Sequence, residues 1–435
     1  MKRTMALKAV AVLGAASLAL AACGGGDEEA TSAETTAEET AAETAEETAE
    51  ETVTETVALE CKIGTMLPQT GNLAFLGPPE FAGVDLAVAE VQAAGGPIAE
   101  NLFGDSGDTT TDIASQTADS HIAAGVTAII GAASSSVSKT VIDKITGAGV
   151  IQFSPANTSP DFSDYPDNGL YFRVAPSDLY QGAVISELML NEGFDNIGIM
   201  VFDDEYGIGL ADALQANFEA SGGTVTRITY NPQAAEYSAE VSEMKAAAPQ
   251  AVAVIGFDES AKVIAEMITQ GVGPDVLPIF LVDGNLSTSA YADLPEGIMV
   301  GVRGTLPGAA APEDFQAKLL EINPDLTDFS YAAESYDTVN LLALAMDVAG
   351  SCDGPAVAEA LITVSKDGEK CTNYADCKAL LDSGADIDYD GISGPVEFAD
   401  NGDPSVATMG VYEYVANDAY EAVIDEFVTG PVPTS

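Results

Sequence analysis

From Lys62 onward the chain alternates short apolar runs with stretches whose apolar residues recur every three or four positions. The first kind predicts strands and the second predicts helices with one buried face. Strands are expected at 62–67, 126–130 and 150–153, and helices at 81–93, 113–124 and 138–146. That order and spacing build βαβ units and a parallel sheet. The pattern then restarts, with helices at 179–191, 208–220, 239–247 and 260–270 and strands at 197–202, 224–230, 251–256 and 279–282. Two doubly wound parallel-sheet α/β lobes joined by a hinge are therefore expected. The last third differs: a long helix at 330–349, a second at 355–364, and strands at 396–398 and 409–414 flanking a turn at 400–404. Something must cover the first lobe, so the chain is expected to return to it before ending in the second. Lobe 1 is then 57–176 with 304–403, and lobe 2 is 177–303 with 404–435.

The first residues break this pattern. Lys2, Arg3 and Lys8 precede a short apolar run over 9–22 that ends in Leu20-Ala-Ala-Cys23. The run is too short to span a bilayer convincingly. It reads as a signal peptide over 1–22 and resembles the lipobox of bacterial lipoproteins, in which Cys23 becomes the lipid-modified first residue. A free cysteine in a plain signal peptide is the competing reading. A lipid anchor would hold the protein outside the cytoplasmic membrane, in the periplasm or at the cell surface. After Cys23-Gly-Gly-Gly26, residues 27–56 are almost entirely Glu, Thr and Ala, so 23–56 follows the anchor as one segment. With little to bury and many like charges, they read as an acidic disordered tether. An isolated helix is the alternative, weakened by the threonines and the Glu–Glu repulsion.

Charge narrows the partners. The 435 residues carry 69 acids against 15 basic side chains, a formal net charge of −54. No basic footprint for nucleic acid exists in such a chain, and charge does not favour docking on anionic lipid. The excess acid fits a salt-tolerant extracellular surface as well as it fits a compositional habit of the source organism. Beyond Cys23, four cysteines remain, and an even number outside the membrane suggests two disulfides. Cys371 and Cys377 are close enough to close a small loop, which leaves Cys61 with Cys352. Zinc competes with this reading, but no C-x2-C spacing is present and the single histidine is distant in sequence.

Ligands of open α/β sheets bind beyond the carboxyl ends of the strands. There the first lobe offers Ser134, Ser135 and Ser136 just before a helix, then the turn Ser154-Pro-Ala-Asn-Thr158. Hydroxyls and free N–H groups at a helix start suit a carboxylate, although serines also cap helices without binding anything. The second lobe offers Asp203-Asp-Glu-Tyr206 and Asp283-Gly-Asn285, an aromatic ring and an acid. An α-amino acid has the matching parts: a carboxylate for the donors and an ammonium for the acid. For Tyr206 and Phe257 the plain alternative is a core aromatic. For Asp283 it is a turn residue.

Seven stretches occur in an order that resembles the branched-chain amino-acid binding proteins of bacterial transporters. They are GTMLPQTGNLAFLGPPEFAGVDLAVAEVQAAGG, IIGAASSSVS, FSPANTSPDFSD, DEYGIGLADAL, FLVDGN, ESYDTVNLLALA and DYDGISGPVEFADNGDP. Together they cover nearly all of 60–420. The resemblance implies a type I periplasmic-binding-protein fold and capture of an amino acid between the lobes for delivery to an ABC permease. It places Ser135, with Ser134 beside it, on the ligand carboxylate, together with the backbone of Ala156 and Asn157 and the hydroxyl of Thr158. It places Tyr206 against the ligand and Asp283 on the α-ammonium, where the best-known members have Glu. Phe257 falls where such a member has tyrosine, and Leu76 where it has tryptophan; this chain has no Trp. No cofactor or metal is implied. A sensor for amides or other small carboxylates on the same fold is the alternative function.

Two motifs point elsewhere. Asp386-x-Asp388-x-Asp390-Gly391 with Glu397 has the spacing of an EF-hand loop. Pro395 and the strand pattern after it argue against the helix such a loop requires. Residues 104–108, GDSGD, look like a serine-protease nucleophile, but a triad needs a histidine base and His121 is the only one, on an expected helix. Nothing in the chain supports an enzyme.

Overall fold

The computed structural model describes residues 59–434. The expected signal peptide, Cys23 and the acidic tether lie outside the described residues.

The first lobe is built in chain order from β1 (Cys61–Met66), α1 (Gly77–Ala93), β2 (Ile98–Leu102), α2 (Ile113–Ala124), β3 (Ala128–Gly131), α3 (Ser135–Gly147), β4 (Ile151–Ser154) and β5 (Tyr171–Arg173). Its five strands are all parallel in the order β2-β1-β3-β4-β5. Strands β3 and β4 are buried at every position, as strands covered on both faces must be. The edges β2 and β5 escape the sequence pattern. β2 is half-exposed and carries Glu100 and Asn101, and β5 has only three residues.

The second lobe follows with α4 (Asp178–Asn191), β6 (Asn196–Phe202), α5 (Glu205–Ala220), β7 (Thr224–Tyr230), α6 (Ser238–Ala247), β8 (Ala251–Ile255), α7 (Ser260–Thr269), β9 (Ile279–Leu281) and β10 (Arg303–Pro307). The expected return to the first lobe at 304 comes later than predicted. β10 pairs parallel with β9 and antiparallel with a strand near the C-terminus, so 304–307 belong to the second sheet.

The chain then goes back to the first lobe with α8 (Glu313–Ile322), α9 (Ala332–Ala349), α10 (Gly354–Val364), β11 (Glu369–Cys371), α11 (Tyr374–Asp382), β12 (Ile387–Gly391) and β13 (Gly394–Pro395). It ends in the second lobe with β14 (Val406–Ala416), β15 (Ala419–Ala422) and β16 (Val428–Pro431). The second sheet thus runs β7-β6-β8-β9-β10-β14-β15, with β16 also on β14. Helix α9 is buried from Ala332 to Met346 on all sides, which is why its apolar residues are not confined to one stripe; the polar side chains it buries, such as Asp337 and Asn340, are hydrogen-bonded to the chain around them. The strand expected at 396–398 is displaced: β13 covers Gly394–Pro395, and Phe398 makes only a single bridge to Pro404 across the predicted turn.

Cys61 pairs with Cys352 and Cys371 with Cys377, each with Cα atoms 5.3 Å apart. The first bridge ties the start of β1 to the segment just beyond α9. The EF-hand-like acids lie on and beside β12, where Asp388 and Asp390 pair with Lys370 at 2.9 and 3.0 Å. His121 is buried and its Nε2 lies 2.8 Å from the Thr65 carbonyl.

Three crossings join the lobes: β5 to α4, β10 to α8 and β13 to β14. Arg173 and Asp403 stand at two of them. They form a two-pronged pair, Nε to Oδ1 at 2.6 Å and Nη2 to Oδ2 at 2.9 Å. Arg173 is fully buried and also donates to the Ser159 carbonyl at 2.8 Å. This clamp fixes both crossings to the loop that follows β4.

Candidate functional site

The carboxyl ends of β3 and β4 meet those of the second sheet across a narrow cavity. The space within it open to a water-sized sphere is only about 10 Å³, so its two walls lie nearly in contact.

The first lobe supplies the N-terminus of α3. Ser134 is its N-cap, and its Oγ accepts from the Val137 amide at 3.4 Å. Ser135 also lines the cavity. The first N–H groups of a helix have no partner within it, so this end is a ready anion site. Ala156 and Thr158 line the same wall, and the Thr158 hydroxyl has no hydrogen-bond partner. Leu73 and Leu76 close the apolar side.

Asn157 is placed differently from expectation. Its amide N–H donates to Ser154 Oγ at 2.9 Å, and its side chain donates to the Ala132 and Ala133 carbonyls at 3.0 and 2.7 Å. It holds the β3 loop in shape and does not line the cavity.

The second lobe supplies Tyr206, Phe257, Asp283 and Gly284. Tyr206 is the second residue of α5, and its amide donates to the N-cap Asp204 at 3.0 Å. The Tyr206 and Phe257 rings stack 5.6 Å apart at 6°. The Tyr206 hydroxyl donates to Asp283 Oδ1 at 2.6 Å, and the Tyr331 hydroxyl donates to Asp283 Oδ2 at 2.7 Å. Gly284 is required by close approach: a Cβ there would lie 2.8 Å from the Gly256 carbonyl oxygen. Asn285 pins the same turn by donating to the Val254 carbonyl and Ser260 Oγ, each at 2.9 Å.

Burial pushes the Asp283 carboxyl up from its ordinary value, against the tyrosine hydroxyls that lower it. A second acid stands close by. Asp178, at the start of α4, is fully buried, and neither of its carboxylate oxygens has a hydrogen-bond partner. Burial first, and then the charge of Asp283, raise it well above the ordinary range, against the neighbouring Thr158 hydroxyl and the Arg173 charge, which lower it. No lysine or arginine lines the cavity. Two buried carboxyls with hydroxyls around them and no basic side chain on the cavity wall favour the arrival of positive charge from outside, although Arg173 acts on Asp178 from behind.

The lobes touch around this cavity. The Glu205 amide of the second lobe donates to Ser136 Oγ at 3.3 Å, and Lys139 bridges Asp161 and Glu205 at 2.6 and 2.9 Å. Leu73, Leu76, Ala133 and Ala156 join the apolar core of the second lobe. The arrangement is a closed one.

The family model for receptor family ligand binding regions matches residues 98–417. The chain belongs to that family. Leu/Ile/Val-binding protein homolog 1 of Brucella abortus is 28% identical over 309 residues, covering 69% of this chain and 81% of the relative. Among solved structures, the branched-chain amino acid transporter substrate binding protein LivJ of Streptococcus pneumoniae, in complex with isoleucine, superposes with a TM-score of 0.68 at 21% identity. It covers 84% of this chain and 99% of that one. A solute binding protein of an ABC transporter from R. palustris, in complex with 4-hydroxybenzoate, superposes with a TM-score of 0.71 at 16% identity, covering 86% and 98%. The type I periplasmic-binding-protein fold of this receptor-family chain is therefore established.

Eight of the nine residues singled out in the sequence for ligand contact come together in one cavity, and Asn157 does not. Four residues that the sequence reading passed over complete the walls: Leu73, Ala133, Gly284 and Tyr331. Asp178 stands behind Thr158. Its position in Ser177-Asp178 at a helix start reads as ordinary capping, so the sequence carries no signal for it. Tyr331 comes from the returning segment and adopts a left-handed φ of 60°, rare for a residue with a side chain.

Proposed function

We propose that this receptor-family protein is an extracytoplasmic substrate-binding protein that captures an α-amino acid with a small aliphatic side chain and delivers it to an ABC permease. One observation carries the reading: Asp283 faces a hydroxyl-lined helix start across a small cavity that no basic side chain enters. The ligand carboxylate takes the N–H groups and hydroxyls of Ser134, Ser135 and Thr158. The ammonium takes Asp283, with Asp178 adding to the field. Leu73, Leu76 and Phe257 receive the side chain. Charge-assisted hydrogen bonds contribute roughly 1.5–3 kcal/mol each, and they form only when both lobes reach the ligand. Closure is then driven by contacts that exist only in the closed state. The basic start, apolar run and Leu20-Ala-Ala-Cys23 support lipid anchoring through Cys23.

Relatives on this fold that bind benzoates support a second reading, a carboxylate ligand without an ammonium. The two unpaired acids count against it, because they would face an uncharged or anionic group. Isothermal titration of residues 57–435 against the twenty amino acids, small amides and benzoates separates the readings. One-to-one binding of an aliphatic amino acid at micromolar affinity or tighter is expected. Binding only of ligands that lack an ammonium would overturn the assignment of Asp283.

A further inference from the structure

A second cavity, of about 270 Å³, opens behind the cleft, between the connector after β10, the loop before α9, and β14 with β15. Its walls come from both lobes. Leu306, Ala310, Ala333 and Ala422 give it apolar sides. Two acids face it. Asp328 is 8% exposed and its Oδ2 has no hydrogen-bond partner, while its Oδ1 accepts from the Ser330 amide at 2.8 Å and the Tyr420 hydroxyl at 3.2 Å. Glu334 is 3% exposed. Its carboxyl rests over the bare backbone of Gly308, where a Cβ would lie 1.9 Å from Oε1.

No lysine or arginine lines this cavity. Burial pushes Glu334 up to about 8, and Tyr412 is raised by burial and then by the charges of Glu334 and Asp328, so both acids lie near its hydroxyl. A hard metal ion would need six to eight oxygens within about 2.6 Å. No three acidic or histidine side chains converge to hold one among the described residues. The apolar sides instead suit a hydrocarbon body carrying one positive group.

We infer that this cavity is a second ligand site, which takes a small alkylammonium with its charge between Glu334 and Asp328 and its chain along Leu306, Ala310 and Ala422. Tyr331 separates it from the amino-acid cleft, lining both cavities.

The test is isothermal titration of the full chain with n-butylammonium, with n-butanol as the uncharged control. One-to-one binding of the amine alone is expected, weakened at least about tenfold in Glu334→Gln, since a charged hydrogen bond is lost, and retained in Asp283→Asn. Ala310→Trp, which fills the cavity and leaves both acids in the sequence, is expected to abolish binding, and it keeps the test decisive should Glu334→Gln fold poorly. Absence of saturable binding, binding that survives Glu334→Gln or Ala310→Trp, or loss confined to Asp283→Asn would each overturn the site. The last result would move the amine into the cleft. Failure of the amino-acid reading itself shows separately, as no amino acid binding to the unmodified protein.

Discussion

Asp403 at the hinge and Asp283 in the cleft are both buried acids at places where the lobes meet. Asp403 is held in the two-pronged grip of Arg173. Burial raises it, but the Arg173 charge and hydrogen bonds outweigh burial and leave it below its ordinary value. Asp283 has two tyrosine hydroxyls and no cation, and its net shift is upward. A buried charge needs a partner. Asp403 has its partner within the chain, so its contribution is to stability. Asp283 lacks one, and its proposed role towards a ligand ammonium rests on that difference.

The largest expected effect falls on the hinge. Arg173→Met leaves Asp403 buried and unpaired, and breaking such a pair from one side costs about 3–5 kcal/mol. Urea unfolding should show that loss without change in the ligand that binds. A loss below about 1 kcal/mol would mean that Asp403 finds solvent, and the contrast with Asp283 would collapse.

The pH profile sharpens the same contrast. The lowered carboxyl of Asp403 contributes stability that is present above its unfolded value, near 3.8, and lost as pH falls through its folded value. Raised acids act in the opposite sense. Glu334, ordinarily at 4.5, is raised by burial to about 8. The folded form therefore binds the proton more tightly, and stability falls as pH rises from about 4.5 through 8. Glu80 and Asp178, raised by burial, and Asp337, at about 6, act in the same direction. The shift of Glu334 corresponds to roughly 5 kcal/mol. Unfolding free energy is expected to be higher at pH 5 than at pH 8, and Glu334→Gln should flatten that slope. A protein more stable at pH 8 than at pH 5 would refute the assignment.

Third in size is the cleft acid. Asp283→Asn removes the charge but keeps the shape. Amino-acid affinity is expected to fall about 10–100-fold, with no loss of stability in the unliganded protein. Unchanged affinity with lower stability would put Asp283 in the same class as Asp403.

The sequence made legible what depends on local pattern. The βαβ order, the apolar strands β6 and β8, and the strand ends carrying Ser134, Thr158 and Asp283 all follow from period and position. What it hid depends on tertiary approach. β2 is an edge strand with polar residues, so its pattern resembles a loop. β10 was read as the start of the return because nothing local shows that β14 will pair with it. Asp178 and Tyr331 reach the site region only through the chain crossings. Asn157 lies within the same motif, and only its amide bond to Ser154 Oγ, with its side chain tied to the Ala132 and Ala133 carbonyls, shows that it stands off the cavity wall.

The smallest expected effect tests the neutral wall opposite Asp283. The hydroxyls of Ser134 and Ser135 already accept from the Val137 and Ser159 amides, so their loss would mix structure with binding. Thr158 is cleaner. Its Oγ1 makes no well-formed hydrogen bond, with only the raised Asp178 carboxyl beside it, and valine has nearly its shape. Thr158→Val should leave unfolding free energy unchanged or slightly higher, because an unsatisfied buried group is removed. Amino-acid affinity should fall by about 1 kcal/mol, roughly fivefold, for one lost hydrogen bond. If affinity and stability are both unchanged, Thr158 only fills space. The carboxylate would then rest on the α3 amides alone, and the first lobe would recognise its ligand through backbone rather than side chains.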